Sequence, residues 1–102
     1  MERRELINRV KKAVRSVDPK ARVILFGSRA RGDNSKISDW DFLILISMQA
    51  DENIKRQIRD RLIDIELDAE QVISTIIYSQ DQWSDYKVTP LYKNVYREGL
   101  EV

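Results

Sequence analysis

Val23-Ile24-Leu25-Phe26-Gly27-Ser28-Arg29-Ala30-Arg31-Gly32, followed by Ser38-Asp39-Trp40-Asp41 and Phe42-Leu43-Ile44-Leu45-Ile46, is the stretch that decides how this chain folds. Both apolar runs are short and bounded by turn residues or acids, the pattern of buried strands. Gly27 ends the first run in a tight turn. Asp39 and Asp41 open the second. Side chains alternate along an extended chain, so both carboxylates leave one side while Trp40, between them, leaves the other and is expected in the core.

Two carboxylates on one side can share a hard cation, and magnesium is the natural tenant. The bend supplies the other half of the argument. A chain leaving a strand into a helical turn presents unpaired backbone N–H groups to an anion, here beside the Ser28 hydroxyl. Arg29 and Arg31 add positive charge. Gly27, Ser28, Arg29 and Arg31 are therefore expected to bind phosphates, and Asp39 and Asp41 the metal. Either part alone is commonplace, since Gly-Ser serves ordinary loops and Asp-x-Asp often lines a solvated edge; their conjunction is rare. Two other phosphate motifs fail on the same residues. A P-loop needs Lys and then Ser or Thr after its second glycine, where Asp33 and Asn34 stand, and a G-x-G-x-x-G fingerprint cannot be built after this strand from the chain's 3 glycines.

The pattern G-S-x10-D-x-D, filled by Gly27, Ser28, Asp39 and Asp41, resembles the DNA polymerase beta-like nucleotidyltransferase superfamily, and the size of the chain resembles its minimal (MNT) branch. The resemblance implies an α/β (α+β) palm-like fold, with a mixed β-sheet and helices packed against it, as a single domain over residues 1–102. It also implies two-magnesium chemistry, with catalytic roles for Asp39 and Asp41. The reaction it implies is transfer of a nucleoside monophosphate from a nucleoside triphosphate, ATP being expected, to a hydroxyl of a partner macromolecule. Minimal members commonly pair with a small helical HEPN protein, and some act as antitoxins that adenylylate a tyrosine on it. The same type of partner is implied here, and a homo-oligomer is compatible with the chain.

Family members with full activity usually carry a third carboxylate on a later strand. The matching segment, Val72-Ile73-Ser74-Thr75-Ile76-Ile77-Tyr78-Ser79, puts Ser74 in its place. In two-metal transfer one ion clamps the triphosphate and the other activates the attacking hydroxyl. A missing carboxylate should harm the second more, because triphosphate oxygens help to hold the first. Hence a second reading: a catalytically weak or inactive nucleotide-binding subunit that regulates a helical HEPN-type partner. Asp64, Glu66, Asp68 and Glu70, just upstream, read as solvated helix-end or turn acids.

Composition bounds the remainder. With 102 residues, 42% of them hydrophobic, there is material for one core. The 18 basic and 17 acidic side chains nearly cancel, so a nucleic-acid partner is not expected; that reading would rest only on the basic faces of helices. The absence of cysteine and histidine removes disulfides, thiol catalysis, zinc-finger ligation and imidazole acid–base chemistry. No apolar stretch is long enough to span a bilayer and no signal core opens the chain, so a cytoplasmic protein without membrane contact is expected.

Leu6, Val10, Ala13, Val14 and Val17 recur at helical spacing up to Asp18-Pro19, predicting a first amphipathic helix whose basic face is solvated. Asp51 starts a second helix, with Ile54, Ile58, Leu62 and Ile65 on one face. A strand over Val72 to Tyr78 follows, then a polar segment with Asp81, Trp83 and Asp85, then a helix from Thr89-Pro90 to Gly99. Tyr92 and Tyr96 lie one turn apart beside Leu91 and Val95, which reads as packing and not as base stacking.

Overall fold

The two apolar runs become neighbouring antiparallel strands, β1 (Arg22–Phe26) and β2 (Trp40–Ile46), with Val23 opposite Ile44 and Phe26 opposite Asp41. The computed structural model describes residues 1–102. Helix α1 (Arg3–Val17) precedes β1, and one helical turn, α2 (Ser28–Arg31), follows it. Helix α3 (Glu52–Ala69) then carries the chain across to β3 (Ile73–Ser79), which pairs parallel with β2; a parallel pair requires such a crossover. A short α4 (Gln80–Trp83), a 3-10 turn (Ser84–Tyr86), α5 (Pro90–Glu98) and a two-residue β4 (Leu100–Glu101) complete it. The sheet order is β3-β2-β1-β4, with β4 antiparallel to β1, so the sheet is mixed as expected.

Strand alternation sorts the side chains into two unequal layers. Trp40, Phe42, Ile44 and Ile46 face α1 and α3, where Leu6, Val10, Val14, Ile58, Leu62 and Ile65 complete the large core. Leu43 and Leu45 face the other way, onto Ile24 and Val95 of α5, with partial cover from Trp83 and Leu91. Asp39 and Asp41 share the parity of Leu43. They therefore belong to the thinly covered face.

The helix boundaries follow the caps. The Asp51 carboxylate accepts from Ile54 N at 2.9 Å, and the Thr89 hydroxyl accepts from Tyr92 N at 3.2 Å, each satisfying a first-turn donor. After α1 the chain is stapled by Asp18, only 2% exposed, which accepts from Ser47 N (2.6 Å), Ser47 Oγ (2.8 Å) and Lys20 N (3.0 Å). Burial pushes this carboxyl up, but the hydrogen bonds from Ser47 and Lys20 outweigh it and hold the group below its usual value of 3.8. A depressed folded value means that the contribution is complete above that usual value and is lost as pH falls through the lower one. Asp18→Asn should lower stability in urea by about 2 kcal/mol at neutral pH. The difference from wild type should shrink in strong acid, where both side chains are neutral.

Some expectations shift. The third strand begins and ends one residue later than Val72–Tyr78. The polar segment divides between α4 and the 3-10 turn, and β4 was not anticipated. Tyr92 packs as expected, its ring centroid 4.9 Å from that of Trp83. Tyr96 does not: it is 86% exposed. No helix is long and apolar enough to cross a membrane.

Candidate active site

Gly27 leaves β1 with φ 76° and ψ −161°, backbone that residues with a side chain rarely adopt. A Cβ there would lie 2.4 Å from Asp41 Oδ2. Glycine is thus required twice, for its torsion and for the space it leaves to the acid. The register explains the proximity: pairing Phe26 with Asp41 brings the end of β1 against the start of β2. Ser28, half-buried, opens the helical turn at the same bend.

Asp39 is exposed and Asp41 half-buried. Burial pushes the Asp41 carboxyl up, and the negative charges of Asp39 and then Glu98 push it further, with Arg31 opposing. Mutual repulsion between two acids at one opening is what a cation relieves. The donors are hard oxygens, which suits magnesium, but no three acidic side chains converge into a cluster of their own. On strand β3, Ser74 stands opposite Asp41 in the parallel register, and its hydroxyl donates to Asp39 Oδ2 at 3.3 Å. The acids of α3 do not substitute for it. Glu66 accepts from Ile73 N at 3.0 Å and Asp68 pairs with Arg9 at 2.9 Å, while Asp64 and Glu70 are exposed.

The two arginines part company. Arg31 lies on the acid side and pairs through Nη1 with Glu98 Oε2 (2.8 Å) and through Nε with Asp33 Oδ2 (3.0 Å), which raises its pKa. Arg29 is 9% exposed and turned to the other face, where it lies 4.6 Å above the Trp40 ring and donates to Ser38 O at 3.0 Å and 3.3 Å. Arg29, expected among the phosphate-binding groups, is thus placed apart from Arg31, where it anchors the loop that leads into Asp39. The cause is helical geometry, since residues two apart on a helix project roughly 200° apart.

Glu98 was not singled out in the sequence. Its side chain is 9% exposed, and besides Arg31 it accepts at Oε1 from Gly27 N at 3.2 Å. The hydrogen bond from Arg31 holds its carboxyl below the usual range, against burial and with help from Gly27 N–H.

The family model described as a nucleotidyltransferase domain matches residues 7–94. The protein named "Putative protein adenylyltransferase MJ0141" from Methanocaldococcus jannaschii is 39% identical over 82 residues, which is 78% of this chain and 83% of that protein. A crystal structure of a toxin–antitoxin with AMP-PNP superposes with a TM-score of 0.67 at 21% identity, over 92% of this chain and 69% of that one. A mutant of the toxin–antitoxin MntA-HpeT superposes with a TM-score of 0.64 at 19% identity, over 100% of this chain and 72% of that one. At such identities these two structures show a shared fold.

Proposed function

This chain belongs to the nucleotidyltransferase domain family, and on that premise we propose that it binds a magnesium-bound nucleoside triphosphate, ATP, and transfers the nucleoside monophosphate to a hydroxyl of a partner macromolecule. The observation that carries the reading is the contact between Asp41 and the Gly27 bend. Metal-holding and phosphate-binding groups meet at one opening on the thin face of the sheet. Asp39 and Asp41 would hold magnesium, which when bound neutralises polyphosphate charge and lowers the pKa of a coordinated hydroxyl.

The remaining roles fall to the chain itself. The bend N–H groups, the Ser28 hydroxyl and Arg31 orient the polyphosphate. Gly27, having no side chain, keeps the space beside Asp41 open. The acceptor oxygen forms a bond to the α-phosphorus as the α–β anhydride bond breaks, and pyrophosphate leaves with the bonding electron pair. With no histidine in the chain, the acceptor proton passes to a carboxylate at the opening, Asp39 being the exposed one, or to water.

The acceptor we propose is a protein of the helical HEPN type in the cytoplasm, the chain serving as the antitoxin of such a pair. Support comes from the relative named for protein adenylylation and from the fold shared with two toxin–antitoxin structures. Ser74 beside Asp39 favours one alternative, a nucleotide-binding subunit without turnover. Incubation with magnesium, α-labelled ATP and the product of the neighbouring gene should label that protein, and chelating the metal should abolish the label. No label despite magnesium-dependent ATP binding by calorimetry would select the alternative; neither label nor binding would end both readings.

A further inference from the structure

Glu98 ends α5, and its carboxylate is turned back onto the bend, 71 residues earlier in the chain. One oxygen accepts from Gly27 N–H and the other from the Arg31 guanidinium. A backbone N–H and an arginine on the two oxygens of one anion form the donor set that a phosphate uses. We propose that Glu98 is an internal occupant of the phosphate seat, which an incoming polyphosphate must displace, so that this residue sets nucleotide affinity and couples nucleotide arrival to release of the chain's end. The inference rests on the phosphate-binding reading given above.

Two observations support displacement over a fixed structural pair. An oxygen 3.2 Å from Gly27 N stands where a phosphate oxygen would have to stand, so the two anions exclude one another. Glu98 is also held against local preference. It is the last residue of α5, where the helix end is partially negative. Its hydrogen bonds come from Arg31 and the bend. A polyphosphate offers the same two donors more negative charge.

The exit route is short. Glu98 is followed by Gly99 and then β4, which contributes the pairs Ile24↔Glu101 and Leu25↔Leu100, one bond from Val102 N to Val23 O at 2.9 Å, the exposed Arg22–Glu101 ion pair at 2.7 Å, and the packing of a half-buried Val102 against the large core. An edge held by so few bonds is the part of the sheet able to yield when Glu98 moves.

The test uses two probes on the full chain by calorimetry: magnesium-free tripolyphosphate, which reads the seat alone, and magnesium-ATP. Glu98→Gln keeps the size and loses the charge, and Glu98→Asp keeps the charge but is too short to reach both donors. Each should bind tripolyphosphate about tenfold more tightly than wild type, as for a seat open roughly one tenth of the time. Glu101→Gln, which loosens β4 without touching the seat, should also bind tripolyphosphate more tightly, though by less than the Glu98 variants, because a looser β4 lowers the cost of displacing Glu98. Equal or weaker binding by both Glu98 variants overturns the proposal. Should neither variant fold, hydrogen exchange at Leu100–Val102 of the wild type decides: acceleration by tripolyphosphate supports displacement, and no change overturns it. The two readings fail separately. Magnesium-ATP binding that depends on Asp41 but ignores the Glu98 variants sinks the displacement alone. Tightened tripolyphosphate binding without Asp41-dependent ATP binding sinks the transferase alone.

Discussion

Asp41→Asn should lower nucleotidyl transfer at least about a thousandfold, equivalent to roughly 4 kcal/mol of transition-state stabilisation, and should at the same time make the ligand-free protein more stable. The substitution keeps the side chain's shape and its contact with the Gly27 bend, so positioning of the strands is undisturbed. What it removes is one of the two negative charges available to a cation. The stability gain follows from the raised Asp41 pKa, which burial, Asp39 and Glu98 impose together. A carboxyl raised in the folded state is a liability that grows as pH climbs from its usual value of 3.8 through the raised one, and it is complete above that. Asn carries no such penalty. Urea midpoints should therefore favour the variant at neutral pH and converge with wild type in acid, while labelled transfer falls to background. A variant that retains transfer within tenfold of wild type would show that Asp41 holds no metal. Loss of function with gain of stability is the signature of a site whose charges are assembled for a ligand and not for the fold.

Most of this site is local in sequence, and that is why it can be read there. The bend and the acids lie within residues 27–41, and two elementary periodicities place them. Alternation on β2 puts Asp39 and Asp41 on one face and Trp40, 3% exposed, on the other. Antiparallel pairing of consecutive strands then brings Gly27 to Asp41. The same reasoning carried one step further would have separated Arg29 from Arg31, because a single helical turn sends residues two apart to nearly opposite sides. Glu98 was beyond reach for a different reason. It belongs to no motif, it is distant in the chain, and a carboxylate at a helix C-terminus is expected to turn to solvent. The only trace in the sequence is that acid in a position where a base is preferred. Tyr96 escaped because helical spacing beside Leu91 and Val95 marks a face of α5 but not how far another element covers that face.

Ser74→Asp should raise magnesium-dependent transfer by about 10–100-fold, the range over which supporting groups change metal sites, and should cost stability when magnesium is withheld. The geometry carries both halves. Ser74 faces Asp41 across the β2–β3 pair and its hydroxyl already reaches Asp39 at 3.3 Å, so a carboxylate there joins two others around one opening. Without a cation, three like charges oppose one another; where the groups are solvated as in bulk water, each added repulsion amounts to about 1 kcal/mol. With magnesium the same charges become ligands, and the deficit in the urea midpoint should close as the metal is titrated in. The ion that gains most is the one activating the acceptor hydroxyl, since polyphosphate oxygens already help to hold the other. Turnover should accordingly rise while ATP affinity changes little. A tighter ATP complex with no gain in turnover would instead place Ser74 beside the polyphosphate-bound ion. A variant with neither gain would remove this β3 position from the metal site altogether.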